Sequence, residues 1–325
     1  MTRTVGIILM AYGTPQRLED VGPYFKDIRG GRTPSPEAVA ELTERYRKVG
    51  GKTALLEITQ ETAERLGARL GRDSQGVNYR CYAGMKHWHP YIASTIAQMV
   101  ADGVDEIVGL PLAPHYSKMS IDGYRSAVIG ALEAMGADTK VRFIDTWYAN
   151  PLFIDMMSTF VRSALAQFSS PPEEVETIFS AHSLPRRILS WGDPYPGELL
   201  DSALMNAERV GLRRWRCSYQ SAGHTGDPWL GPDILETISA LASEGKKAVL
   251  IVPIGFVSEH LEILFHIDTE AMELAEGLGI ELRRTEMPNA SAPFLEVLAD
   301  IVLTGAGARE ASGMPGGPQR AAAKR

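Results

Sequence analysis

Cysteine is scarce: only Cys81 and Cys217 occur in 325 residues, far apart and outside any C-x-x-C spacing. That argues against a thiolate zinc or iron–sulfur centre. Both thiols sit in strand-like aromatic settings, Tyr79-Arg-Cys-Tyr82 and Trp215-Arg-Cys-Ser-Tyr219, and are expected to be buried and unpaired. Long apolar runs are also missing. The N-terminal stretch Val5–Met10 is six residues, too short for the core of a signal peptide, and nothing reaches the roughly 20 residues of a membrane helix. A cytoplasmic protein with no membrane insertion is therefore expected. Nor is there an excess of positive charge: the formal net charge is −7, which argues against nucleic-acid binding through a general basic field. An anionic small molecule would have to be captured by local arginines. Finally, the glycine-rich segment Gly223–Gly231 lacks the G-x-G-x-x-G and P-loop spacings, so nucleotide binding gets little support.

What is present is an alternation of apolar strands and amphipathic helices. Strands are expected at Val5–Met10, Asn78–Gly84, Glu106–Leu112 and Val141–Trp147, with helices over Pro36–Lys48, Thr59–Leu70 (capped by Thr59), Tyr91–Asp102 and Ile121–Met135. Asn150-Pro151 breaks this order, and a helix Leu152–Phe168 leads to Ser169–Pro172, where a boundary is expected. The plan then repeats: strands at Thr177–Ser180, Trp215–Gln220 and Ala248–Ile254, helices over Glu198–Val210 and Asp233–Ser243. The pattern reads as α/β with two similar Rossmann-like, doubly wound parallel-sheet domains, 1–150 and 173–304, bridged by 151–172. The Gly-, Ala- and Pro-rich end, 305–325, is expected to be a disordered tail.

One stretch organises the chain. Glu176-Thr-Ile-Phe-Ser-Ala-His182-Ser-Leu-Pro185 is a short buried strand ending at a histidine, and ligands of open α/β sheets bind outside the carboxyl ends of strands. Val5–Pro15 is its twin at an offset of 170 residues: Ala-Tyr12-Gly-x-Pro aligns with Ala-His182-Ser-x-Pro. A second candidate site is His260, Glu262, His266 and Glu270. The last three are spaced to share one face of an ideal helix, and their chemistry suits a divalent ion of intermediate softness such as Fe²⁺ or Zn²⁺. Each feature also has a plain structural reading: a hydrogen-bonded turn histidine, a packing tyrosine, a solvated helix face. Arg29, Arg32 and Arg45 are either surface cations or carboxylate forks. His87 and His89 look like a metal pair, but a turn packed on Trp88 accounts for them.

Taken together, the motifs Met10–Pro15, Arg45-Tyr46-x-x-x-Gly50-Gly51, Leu112-Ala-Pro-His-Tyr-Ser117, Ser180-Ala-His-Ser-Leu-Pro185, Gly192-Asp-Pro-Tyr-Pro196, Asp227-Pro-Trp-Leu-Gly-Pro232, Pro253-Ile-Gly-Phe256 and Glu259-His-Leu-Glu262 resemble the ferrochelatases, in that family's order. The resemblance implies two Rossmann-like domains around a porphyrin cleft and insertion of Fe²⁺ with release of two protons. It implies His182 and Glu262 as the metal-handling and proton-accepting pair. Tyr12 resembles the tyrosine of the coproporphyrin III branch, an axial ligand to the product iron on the opposite face. That branch implies Arg29, Arg45, Tyr46, Thr53 and Tyr124 around the macrocycle and its propionates. Thr53 and Ala54 stand where the family usually has Ser-Pro, and His266 where it usually has an acid. That substitution leaves open whether an outer metal path runs through His266 and Glu270. The resemblance further implies no resident cofactor, no [2Fe–2S] cluster (two cysteines cannot supply four), a monomer, and transient contact with neighbouring haem-pathway enzymes.

Overall fold

The computed structural model describes residues 2–72, 76–223, 226–305 and 308–310. In order, the elements are β1 (Arg3–Ala11), α1 (Val21–Ile28), α2 (Pro36–Lys48), α3 (Leu55–Gly71), β2 (Val77–Met85), α4 (Ile92–Ala101), β3 (Glu106–Pro111), α5 (Ile121–Met135), β4 (Lys140–Ile144) and α6 (Pro151–Leu165). The second half holds β5 (Glu176–His182), α7 (Tyr195–Val210), β6 (Trp215–Gln220), α8 (Ile234–Ser243), β7 (Ala248–Val252), α9 (Leu261–Leu264), a π-helical turn His266–Ala271, α10 (Met272–Gly277), β8 (Glu281–Arg284), α11 (Ala292–Thr304) and β9 (Ala308–Glu310).

The parallel sheets have one order twice over: β2-β1-β3-β4 and β6-β5-β7-β8. β3 and β7 are buried along their whole length, as strands covered on both faces must be. Local chemistry sets the helix starts. Ser35 accepts from the amide of Ala38 ahead of Pro36, Asn150 caps α6 ahead of Pro151, and Asp233 with Glu236 forms a capping box on α8.

Two expectations change. α3 begins at Leu55, a turn before Thr59, so Thr59 is no cap; its hydroxyl is buried inside the helix and donates to the Leu55 carbonyl at 2.7 Å. A threonine can satisfy itself this way mid-helix, which is why its cap-like chemistry misleads. The supposed tail also contributes structure: Ala308–Glu310 pair antiparallel with β4, extending the first sheet to five strands. Residues 306, 307 and 311–325 lie outside the described residues.

A continuous apolar core joins the halves. It includes Ile7, Leu9 and Val108 of the first sheet, Phe179, Leu250 and Val252 of the second, and Trp147, Phe153 and Phe294 between them. α11 closes the interface by packing on α3 and α6. Arg69 is bonded to Glu296 at 2.7 Å and Asn150 to Asp300 at 2.7 Å. At the other side, Glu198 of α7 accepts from the Tyr116 amide (2.7 Å) and Thr146 hydroxyl (2.8 Å), and Asp193 from the Ser117 hydroxyl (3.0 Å) and Lys118 amide (2.9 Å).

Candidate active site

β1 and β5 are equivalent inner strands, and both end at one functional residue. Tyr12 follows β1; His182 is the last residue of β5. Behind His182, Gly255 follows β7 with its amide donating to the Ser180 carbonyl at 3.1 Å. A Cβ there would lie 2.6 Å from the Ala181 Cβ, so this close approach requires glycine.

His182 is held by its backbone and its ring. Its carbonyl accepts the Tyr195 hydroxyl at 2.9 Å, and Nδ1 donates to the Ser183 carbonyl. That leaves Nε2, 3.3 Å from Glu262 Oε1, as the nitrogen that gains or loses a proton. Glu262 stands in the first turn of α9, after an extended His260. Gln220, fully buried at the end of β6, ties the two together. Its Oε1 accepts from the Ser180 hydroxyl (3.0 Å), its Nε2 donates to the Glu262 carbonyl (2.9 Å), and its own carbonyl accepts the Ser183 amide (2.7 Å).

The electrostatics follow from the pairing. Burial works to lower the His182 pKa, but the charge and hydrogen bond of Glu262, with the Ser183 carbonyl, raise it above its ordinary value. Burial works to raise the Glu262 pKa, yet His182 and then His260 hold it well below the usual carboxylate range. The two opposed shifts have one cause, the attraction between the imidazole and the carboxylate. Glu262 Oε2 is buried with no hydrogen-bond partner among the described residues; His260 Nε2 lies 3.8 Å away. An acceptor left bare in this way fits a cation. Among the described residues no three His, Cys, Asp or Glu are arranged to hold a metal ion.

Tyr12 is 42% exposed. Partial burial first, then the charges of Glu262 and Asp27 and the nearby Tyr46, raise its pKa well above that of free tyrosine, so the phenol is neutral. Its ring lies 4.6 Å from that of His87, whose Nδ1 bonds Asp27 at 2.8 Å. His87 thus has a carboxylate partner, while His89 is exposed and packs edge-on to Trp88 and Tyr91. The turn reading holds, and Gly13 makes it possible, with φ of +104° and room for no Cβ beside the Trp88 amide.

The other sequence candidates divide. Arg29 is exposed at the end of α1, 5.8 Å over the Phe25 ring. Arg45 is bonded to Glu41 at 2.6 Å and lies 5.4 Å over Phe265. Tyr46 and Thr53 are buried and converge on the Thr14 hydroxyl at 3.3 and 2.9 Å. Burial pushes the Tyr46 pKa up to about 12. Tyr124 is also buried, its pKa raised by burial and by Tyr12 and Glu262.

His266 and Glu270 bond each other at 2.6 Å. They do not continue a helix face from Glu262, because the turn between them is π-helical, with the Glu270 amide donating to Phe265 five residues back at 2.9 Å. The i, i+4, i+8 reading assumed an uninterrupted α-helix. Both cysteines are free but only half-buried, with thiol pKa values raised by burial to about 12 at Cys81 and about 11 at Cys217. Sequence reasoning passed over Gln220, Tyr195 and Asp27; only Tyr195 lay within a quoted motif.

Two sheets whose parallel strands share one order, with a His–Glu pair at the carboxyl end of an inner strand, make an α/β protein of the chelatase type. Solved structures agree on the fold. SirB from Bacillus subtilis with Fe³⁺ superposes with a TM-score of 0.56 at 12% identity, covering 93% of this chain and 94% of that one. CbiX, the terminal enzyme for biosynthesis of sirohaem in denitrifying bacteria, gives 0.55 at 11%, covering 93% and 99%. The ferrochelatase family model matches residues 4–306. The chain is 46% identical to the ferrochelatase of Herpetosiphon aurantiacus over 303 residues, 93% of this chain and 99% of that protein. It is 41% identical to the coproporphyrin III ferrochelatase of Geobacillus kaustophilus over 305 residues, 93% and 96%, and 40% identical to coproporphyrin III ferrochelatase 1 of Bacillus anthracis over 305 residues, 93% and 98%. This chain belongs to the ferrochelatase family, whose chemistry is insertion of a metal ion into a porphyrin. Among the described residues no helix is long and apolar enough to cross a membrane.

Proposed function

We propose that this enzyme inserts Fe²⁺ into coproporphyrin III to give coprohaem, releasing two protons, as a cytoplasmic monomer without a resident cofactor. The observation that carries the reading is the half-exposed Tyr12, set at the strand end equivalent to that of His182, so that a flat macrocycle between them meets a phenol on one face and a base on the other. The relatives at about 40% identity that bear the coproporphyrin name support the substrate.

In this reading Glu262 Oε2 and His182 Nε2 receive the arriving ion, and the same pair accepts the pyrrole protons. The raised basicity of His182 favours proton uptake. Two donors bind more weakly than a closed tetrahedral set, so the ion is surrendered to the ring. Arg29 and Arg45 pair with propionates, Arg45 exchanging Glu41 for substrate; Tyr46, Thr53 and Tyr124 shape and stiffen the wall behind. On the opposite face Tyr12 gives up its proton only when iron is there to stabilise the phenolate.

The test is anaerobic Fe²⁺ insertion into coproporphyrin III and protoporphyrin IX, side by side, without detergent. Faster turnover of coproporphyrin is expected. A preference for protoporphyrin would keep the chelatase and overturn the substrate; tight binding without turnover of either would indicate a carrier.

A further inference from the structure

We infer that Lys86 is a carboxylate-binding site on the rim of the cleft, where it pairs with an acid side chain that a tetracarboxylate porphyrin has and a dicarboxylate porphyrin lacks. The inference rests on the substrate reading above and deepens it. Lys86 directly follows β2, its amide donating to the Ala11 carbonyl at 2.9 Å, so it borders Tyr12. The next residue, His87, lies against the Tyr12 ring. The side chain is half-buried, yet among the described residues its ammonium has no hydrogen bond and no ion pair; it lies 5.2 Å over the Tyr124 ring.

The acids that might have neutralised it are engaged elsewhere. Asp27 is bonded to His87 at 2.8 Å, and Asp122 accepts the Tyr116 hydroxyl at 2.9 Å. Burial accordingly lowers the Lys86 pKa, with no carboxylate to restore it. A desolvated cation without a counter-ion is costly, and such groups are ordinarily paired. Here the missing partner is supplied by an anionic ligand entering beside Tyr12 and Tyr124.

The ammonium also has a dedicated space. A Cβ added at Gly123 would sit 2.4 Å from Lys86 Nζ, so the absence of a side chain at Gly123 lets the ammonium lie where it does. Two variants therefore test one idea from opposite sides. Lys86→Met removes the charge; Gly123→Ala keeps it but displaces it, while favouring the helix by propensity.

The experiment is porphyrin binding without iron, followed by fluorescence, with coproporphyrin III and the dicarboxylate deuteroporphyrin, after circular dichroism has shown each variant to be folded. Wild type should prefer coproporphyrin. Each variant should weaken coproporphyrin binding about tenfold, the scale of one charge-assisted contact, and leave deuteroporphyrin binding within about twofold. If the wild-type preference persists in both variants, or if both porphyrins weaken equally, Lys86 merely packs on Tyr124 and the inference falls alone. If wild type has no preference, the tetracarboxylate reading falls first and takes Lys86 with it.

Discussion

At the residue scale, the His182–Glu262 pair makes a pH prediction whose sign is fixed by two opposed shifts. His182 is raised from 6.5, so its contribution to stability is complete below 6.5 and is lost as pH rises through the folded value. Glu262 is lowered from 4.5, so its contribution is present above 4.5 and lost as pH falls through the folded value. The pair therefore stabilises the fold most from pH 4.5 to above 6.5. A base must be unprotonated to act, so metallation should rise as pH passes the raised His182 value. In Glu262→Gln the raising influence of Glu262 disappears while burial and the Ser183 carbonyl remain, so the His182 pKa should fall below its wild-type value; imidazole NMR titration measures it, and an unchanged value would show that the pair is not coupled. Tyr12→Phe should alter the visible spectrum of bound product while shifting the thermal midpoint little, since the half-exposed phenol has no hydrogen bond among the described residues. An identical spectrum would remove Tyr12 as the iron ligand.

At the scale of elements, the junction of β5 and β7 leaves no room for a side chain at Gly255. Gly255→Ala would drive a methyl against the Ala181 backbone at 2.9 Å, and overpacking of this kind costs about 1–3 kcal/mol. Chemical denaturation should show that loss, accompanied by a fall in kcat larger than any change in porphyrin KM, because the strand end that shifts carries His182. A fully stable, fully active variant would mean the strands yield more easily than the spacing implies.

Elements were also where the sequence was most legible. Strand ends at Tyr12 and His182 followed from apolar runs stopping at small-residue turns, and the repeated order from their spacing. What could not be read was how neighbours divide their bonds. A hydroxyl at Thr59 looks the same whether it caps a helix or bonds within one. The inserted π-turn at His266–Ala271 leaves no mark in residue spacing. Gln220 was invisible as a brace because its partners, Ser180 and Ser183 at the end of β5 and Glu262 in α9, lie about 40 residues away on either side of it in the sequence.

At the scale of the molecule, the shared core predicts that the halves unfold together. Trp147, Phe153 and Phe294 belong to one apolar core with residues of both sheets, so parting the halves would expose that shared core even though each half also buries a smaller cluster of its own. Calorimetry should show one transition with agreeing calorimetric and van't Hoff enthalpies; two resolved transitions would separate the halves energetically.

The carboxylates that cross between the halves have a consequence for motion. Asp193 and Glu198 hold backbone amides of the 116–118 loop on one side of the interface, and Glu296 and Asp300 are bonded across from α11 on the other. A hinge needs one flank free to part, and here both flanks are riveted. A clamshell swing would tear these bonds and bare the shared core at once, so the halves are not expected to part as a hinge. Under the porphyrin reading proposed above, a flat macrocycle would therefore have to enter and leave edgewise, without the halves swinging apart.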